Sequence, residues 1–360
     1  MTDPFDPLTL RGLTLNNRLW VPAMCMYSVD AGDGVPTDFH LAHYSARVAG
    51  GFGLIITEAT AIHPAGRISP ADTGLWSDAQ AAAWARIVDQ AHRLGGAIGV
   101  QLAHAGRKAS TRPMRPGGPD GALPVADGGW ETLGPSASAF PGLAVPHELT
   151  RDEIAGIVRD FADAATRAAA SGFDVIELHA AHGYLLHQFL SPLANTRTDA
   201  YGGSLENRLR LTLEVTDAVR AVWPDGRPLF VRISATDWVE GGWDVEQSCA
   251  LASELAARGV DLVDVSSGGV APASIPVGPG YQVELARQVR ATGMPTAAVG
   301  LITTVAQASE IIGSGAADAV LFGREALRNP YLPVQALAAR GGDAAGLAPV
   351  PYVRAWPSAS

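Results

Sequence analysis

The sequence predicts one (β/α)8 TIM barrel, in which eight parallel strands alternate with helices. Eight short apolar runs alternate with helical patterns along the 360 residues, and no change in composition divides the chain. Such alternation predicts a parallel sheet, and eight units within one domain predict a closed barrel. An open doubly wound sheet is the alternative, but no G-x-G-x-x-G follows any predicted strand.

Local signals place the elements in order. Residues 8–15 alternate in polarity and predict an N-terminal hairpin. The predicted strands cover residues 18–22, 54–57, 97–102, 175–176, 228–233, 262–265, 296–299 and 319–322. The predicted helices cover residues 38–49, 77–94, 150–171, 204–222, 244–258, 281–291, 304–312 and 332–339.

Two segments depart from this regular alternation. Residues 103–148, after the third strand, are rich in Gly and Pro and lack periodicity, so they predict a long loop or lid. Thr150 and Glu153 then form a capping-box pattern that starts the next helix. We expect residues 1–340 to form a single domain and residues 341–360 to form a C-terminal tail.

Composition narrows the class of protein. A formal net charge of −10 argues against binding to nucleic acid or to anionic membrane surfaces. Cys25 and Cys249 are too few for a disulfide framework or for a four-cysteine metal or iron–sulfur site. With neither a signal-peptide pattern nor eighteen consecutive apolar residues, we expect a cytoplasmic enzyme that acts on a small molecule.

Polar residues collect where the predicted strands end, which is where such barrels carry their active sites. In chain order they are Cys25, Glu58, Ala59, Gln101, His104, His179, His182, Tyr184, Arg232, Ser266, Ser267, Gly300, Gly323 and Arg324. Gly300, Gly323 and Arg324 follow strands seven and eight, the usual phosphate position. Arg232, within an apolar strand, needs an anionic partner or ligand. A flat heteroaromatic ring tethered to a phosphate fits this set, although spacing alone does not separate FMN from a phosphosugar.

The histidines after the fourth strand allow several interpretations. His179 and His182 could bind a metal, satisfy loop carbonyls, or hold a substrate. A metal-dependent hydrolase is the alternative from another class, but it lacks a third ligand with comparable support. A flavin-binding protein without turnover is a further alternative, against which the two histidines and Tyr184 argue.

Several motifs in order resemble the old yellow enzyme family of FMN-dependent ene-reductases, in its thermophilic-like branch and most closely the xenobiotic reductases. The most specific is N-T-R-T-D-A-Y-G-G-S-L-E-N-R at residues 195–208. The others lie at residues 22–27, 57–60, 101–108, 179–184 and 322–325.

The resemblance implies tightly bound FMN, with NADPH, or alternatively NADH, as reductant. Its expected FMN contacts are Pro22, Ala23, Met24, Cys25, Ala59, Gln101, Arg232, Gly300, Gly323 and Arg324. It implies reduction of the activated C=C bonds of α,β-unsaturated carbonyl compounds, with nitro compounds as further substrates. Hydride would pass from flavin N5 to Cβ, and Tyr184 would protonate Cα.

The resemblance also assigns the substrate side of the site. His179 and His182 would hold the substrate oxygen, with Tyr27 assisting. The family's C-terminal segment reaches a neighbouring subunit, so Arg354 or Trp356 would complete the site of a partner in a homodimer or homotetramer. Val353 and Ala355, beside the arginine, depart from the commoner pattern, which leaves open which side chain inserts.

Overall fold

Eight parallel strands close into a barrel in the computed structural model, which describes residues 2–114, 118 and 120–356. Each strand pairs with the next along the chain, and the eighth pairs with the first. The barrel strands, first to eighth, are Leu19–Val21, Leu54–Ala61, Ala97–Ala103, Val175–Ala180, Leu229–Ser234, Leu262–Ser266, Thr296–Ala298 and Ala319–Leu321. The predicted fold is confirmed. The second strand runs beyond its predicted end through the buried Glu58 and Thr60, and the fourth runs on to Ala180, so His179 lies within that strand and not after it.

The helices surround the barrel. They are Asp38–Ala49, Asp78–Arg93, Arg151–Ala170, Leu185–Leu190, Leu205–Val222, Val245–Ala257, Val283–Arg290, Val305–Gly313, Arg324–Arg328, Leu332–Ala339 and Ala344–Leu347. The predicted capping box is present, since the Glu153 amide donates to Thr150 Oγ1 and the Thr150 amide donates to Glu153 Oε2. The three shortest helices, Leu185–Leu190, Arg324–Arg328 and Ala344–Leu347, were not predicted because they are too short to display a helical period.

The predicted hairpin closes one end of the barrel. Leu8–Leu10 pairs antiparallel with Leu13–Leu15, and Leu10 and Leu15 pack against the buried rings of Trp20 and Phe230. These rings stack with centroids 5.9 Å apart. The amino end of the barrel interior is therefore an apolar plug.

The loop after the third strand is mostly irregular in its described part, as predicted, but two short segments order it. Leu133–Gly134 pairs with His147–Glu148. The Arg67 guanidinium lies 5.4 Å from the Trp76 ring centroid and 4.8 Å from that of Trp130, which joins this loop to the one after the second strand. Within the described ranges, none of the helices combines the length and hydropathy that a transmembrane segment needs.

Candidate functional site

Four buried polar side chains lie across the barrel interior, above the apolar plug. Gln101 Nε2 donates to Glu177 Oε1 at 2.7 Å, and Arg232 Nε lies 2.9 Å from Asp264 Oδ2. Burial raises the pKa of Glu177 to about 8, with the Asp264 charge as a second cause, and burial raises the pKa of Asp264 to about 6 against the opposing attraction of Arg232. Sequence reasoning anticipated an anionic partner for Arg232 but did not identify Asp264.

Arg232 also links this layer to the first strand. It is 6% exposed, and its Nη1 donates to the Ala23 carbonyl at 3.2 Å. The guanidinium thus meets the backbone of the predicted FMN segment, residues 22–25. Contacts within the protein therefore hold Arg232 in place, from Asp264 on one side and from the Ala23 carbonyl on the other.

The two predicted histidines come together at the end of the fourth strand. Their ring centroids lie 5.2 Å apart at an interplanar angle of 81°. His182 Nε2 lies 2.8 Å from Ser266 Oγ, and the His182 amide donates to Ser234 Oγ. His179 Nδ1 is buried with no hydrogen-bond partner in the described part of the chain.

Both rings are neutral near pH 7. Burial, followed by the charge of Arg232, lowers the pKa of His179 and of His182 well below the usual value. A neutral imidazole carries one N–H donor and one acceptor nitrogen. The pair can therefore donate to a ligand oxygen without carrying positive charge.

Tyr184, Tyr27 and Cys25 form the other wall of the site. All three pack against one cluster of buried apolar residues, which includes Ala59 and Ala103. The Tyr184 ring centroid lies 4.9 Å from that of His179, and the hydroxyl of Tyr184 has no hydrogen-bond partner among the described residues. Burial raises the pKa of each of these two tyrosines and of the Cys25 thiol, so all three groups are protonated near neutral pH.

Glu58 and His104 support the site from behind. Glu58 accepts from the Met26 amide at 3.1 Å and from the Tyr44 hydroxyl at 3.2 Å, which fixes the turn after the first strand. His104 Nδ1 accepts from the Gly106 amide at 3.0 Å, and burial lowers the pKa of this histidine to about 3. Both side chains therefore hold backbone next to the site.

A cavity of about 590 Å³ opens at the carboxyl ends of the seventh, eighth and first strands. Seven of the ten predicted FMN contacts line it: Pro22, Ala23, Met24, Arg232, Gly300, Gly323 and Arg324. Arg324 has no ion-pair partner within the described residues. Gln101, Cys25 and Ala59 lie outside this lining, in the interior and the tyrosine wall.

Residues that sequence reasoning left out also border the cavity. Ser266 lines it and contacts His182, so it connects the cavity with the histidine pair. Arg328 adds a second cation, held by Glu325 at 2.6 Å. Arg328 could have been found from the sequence, because it lies four residues after Arg324 and residues at that spacing share one face of a helix.

The tail residues lie apart from this cavity in their own chain. Arg354 is exposed on the 3₁₀ segment Val350–Ala355, and Trp356 follows it. The tail reaches this position from Leu347, which packs at Gly51, before the amino end of the second strand. Neither Arg354 nor Trp356 lines the 590 Å³ cavity.

Within the described residues, no group of three or more His, Cys, Asp or Glu side chains is arranged to hold a metal ion. The histidine pair therefore has no third protein ligand of these types there. A family model described as the NADH:flavin oxidoreductase / NADH oxidase family matches residues 3–341.

Individual relatives match nearly the whole chain. The NADPH dehydrogenase of Listeria innocua serovar 6a is 48% identical over 358 residues, covering 99% of this chain and 100% of the relative. That of Geobacillus thermodenitrificans is 49% identical over 354 residues, covering 98% of each. A structure of morphinone reductase in complex with tetrahydroNAD is 33% identical, with a TM-score of 0.77 over 92% of this chain and 90% of that one. The old yellow enzyme homologue from Zymomonas mobilis is 31% identical, with a TM-score of 0.77 over 93% and 92%.

Proposed function

The chain belongs to the NADH:flavin oxidoreductase / NADH oxidase family and to its old yellow enzyme branch, and we propose that it is an ene-reductase. Its substrates would be α,β-unsaturated carbonyl compounds. It is a flavin-dependent oxidoreductase that uses FMN and a reduced nicotinamide. The observation that carries the proposal is the pair of neutral histidines, His179 buried and His182 partly buried, beside a tyrosine whose hydroxyl has no partner among the described residues.

The cavity has the chemistry that FMN requires. Its volume lies within the range usual for small-ligand sites. Arg324 and the backbone at Gly300 and Gly323 would hold the phosphate, while Arg232 and Gln101 would meet the polar edge of the ring. The bound FMN would supply the hydride that moves from the nicotinamide to the substrate. Cys25, kept as a neutral thiol by burial, would lie against the ring.

His179 and His182 would hold the carbonyl oxygen of the substrate. As hydride adds at Cβ, negative charge develops on that oxygen, and N–H donors fixed in advance stabilise it. Loss of one donor of this kind typically costs about 3 kcal/mol of transition-state stabilisation. Tyr27, with its own protonated hydroxyl, would assist at the same oxygen.

Tyr184 would deliver the proton to Cα. Its hydroxyl stays protonated because burial raises its pKa, and no hydrogen bond within the described chain diverts it. A weak acid suits this step because the enolate carbon is strongly basic. The resulting phenolate regains its proton from solvent.

The test uses the purified protein directly. We expect it to be yellow, to release FMN on denaturation, to be bleached by NADPH without oxygen, and to recover its colour when cyclohexenone is added. Bleaching without recovery would reject ene-reduction while leaving flavin reduction in place. Stoichiometric zinc with no flavin would favour the hydrolase instead, and running the assay with both NADPH and NADH would measure the nicotinamide preference.

We further propose that residues 341–360, of which 357–360 lie outside the described residues, form a tail that completes a neighbouring site in a homo-oligomer. Arg354 is exposed, lies outside the cavity of its own chain and has no ion-pair partner among the described residues. Tyr352 and Val353 beside it are exposed apolar groups. Truncation before Pro351 should raise the KM for enones and alter sedimentation, whereas unchanged kinetics and sedimentation would reject the tail's role.

A further inference from the structure

Lys108 stands out in the composition and in the fold. Of the 26 lysine and arginine residues in the chain, it is the only lysine. It lies partly buried at the end of the 3₁₀ segment Gly106–Lys108, which follows the third barrel strand. The other 25 of these residues are arginines, so this site carries a compact ammonium where the rest of the chain carries guanidinium groups.

The Lys108 ammonium ties two turns together. Its Nζ donates to the His182 carbonyl at 2.8 Å and to the Gly269 carbonyl at 3.1 Å. The two turns pack back to back, because a Cβ on Gly183 would lie 2.1 Å from the Gly269 carbonyl oxygen. His182 itself has a φ of 57°, in the left-handed region that few non-glycine residues adopt. The ammonium therefore supports a turn that backbone preference alone does not favour.

The same ammonium lies against the ring of the proposed acid. Lys108 Nζ is 5.0 Å from the Tyr184 ring centroid and 4.8 Å from that of Phe140. A cation at this distance is attracted to an aromatic ring, and more strongly when the ring carries negative charge. Tyr184 acquires such charge as its proton leaves.

We propose that Lys108 is a positioning residue for the reduction, which holds the turn carrying His182 and Tyr184 and stabilises the negative charge that develops on Tyr184 as it gives its proton to Cα. This inference rests on the proposed ene-reduction. The C=C bond gains a hydride at Cβ and the phenolic proton at Cα, and the phenolate is later reprotonated by solvent. Lys108 keeps its own proton throughout.

The charge of Lys108 has a limited pH range. Burial, and then the charge of Arg107, lowers the pKa of Lys108 to about 8. The titratable or charged groups that face it are Arg107, His179, His182 and Tyr184, while Phe140 and Gly269 offer a ring and a carbonyl. The ammonium is therefore charged below about pH 8 and loses its charge above it, while both histidines stay neutral over this range.

The experiment follows single-turnover reoxidation of the reduced holoenzyme by cyclohexenone, from pH 6 to pH 10, in the wild type, Lys108→Met and Lys108→Arg. We expect the wild-type rate to fall above about pH 8. Lys108→Met should be at least tenfold slower at pH 7 and flat with pH, and Lys108→Arg should regain part of the rate without the fall. Because there is one lysine, ¹³Cε-lysine labelling gives a single side-chain resonance that reports its pKa directly.

Two controls separate a specific role from general damage. Reoxidation by a quinone needs no proton at carbon, so its rate should fall far less than the enone rate in Lys108→Met. Arg93→Met removes one positive charge from an exposed helix end and should behave as wild type.

Equal loss with enone and quinone, or an enone rate in Lys108→Met near that of wild type, would overturn the inference while leaving ene-reduction intact. A wild-type enzyme that cyclohexenone fails to reoxidise would overturn the proposed function and this inference together. A ¹³Cε resonance that titrates near 10 would remove the ammonium as the source of any fall at pH 8.

Discussion

At the amino end of the barrel interior, Phe230 stacks on Trp20, whereas two residues further along the same strand Arg232 pairs with Asp264. Neighbouring strands repeat this change: Leu262 precedes Asp264, and Val175 precedes Glu177. Alternate residues of a strand face the same side, so each of these three strands gives the interior one apolar side chain followed by one polar side chain. A step of two residues along these strands therefore leads from the apolar plug to the polar layer of the site.

Stability and function depend on different layers of the barrel interior. The apolar plug of Trp20, Phe230, Leu54 and Leu262 gains free energy by leaving water. The polar layer gains little in that way, because buried carboxylates and guanidinium must be desolvated. We therefore expect changes in the plug to lower stability and changes above it to lower turnover.

The largest expected effect is at the top of the site. His179→Ala combined with His182→Ala removes the proposed oxygen donors, and we expect enone turnover to fall by at least roughly 100-fold because one such donor alone is worth that much. Bound FMN, measured by its absorbance, should remain. Near-normal turnover in the double variant would contradict the assigned role.

The second prediction concerns the plug. Phe230→Ala should lower the free energy of unfolding by about 3–5 kcal/mol, since it leaves a cavity in a closely packed layer. Turnover per bound FMN should change far less than in the histidine variant. Denaturant unfolding and steady-state kinetics on the same samples check both, with Phe230→Leu as the milder control. If Phe230→Ala kept normal stability and lost turnover, the assignment of stability to the plug and of turnover to the layer above it would be wrong.

The sequence predicts local structure better than it predicts the contacts within the polar layer. Local patterns were sufficient for the hairpin and for the helix begun by Thr150, because alternation and capping signals lie within a few residues. The partner of Arg232 was missed because Asp264 lies 32 positions away and faces it only through the register of two strands. Glu177 pairs with Gln101 for the same reason, across 76 positions. The family resemblance identified Arg232 and Gln101 as FMN contacts, but it did not identify Asp264 and Glu177, which hold these two side chains.

A smaller effect should appear as a dependence of stability on pH. Burial raises the pKa of Glu177 to about 8, so the folded protein binds a proton that the unfolded chain releases above its ordinary glutamate pKa. Stability should therefore fall as pH rises toward 8, by at most about 1.4 kcal/mol per pH unit from this one group. Asp264, with its pKa raised to about 6, adds to the fall only at lower pH.

Glu177→Gln isolates this effect, because glutamine can still accept from Gln101 and does not titrate. We expect its unfolding free energy to vary less between pH 6 and pH 8 than that of the wild type, as measured by urea denaturation at each pH. Parallel curves for the two proteins would place the titrating group elsewhere.

The smallest expected effect lies where the cavity meets the histidines. Ser266→Ala removes the hydroxyl 2.8 Å from His182 Nε2, and with it a hydrogen bond worth about 0.5–1.5 kcal/mol. Since that bond fixes the ring of His182, enone turnover should fall by roughly two- to tenfold. Ser267→Ala is the matched control, because Ser267 Oγ donates to Gln282 and not to a histidine. If Ser266→Ala instead raises enone turnover, the serine competes with the substrate for His182. The substrate would then have to break the hydrogen bond between Ser266 and His182 before it binds.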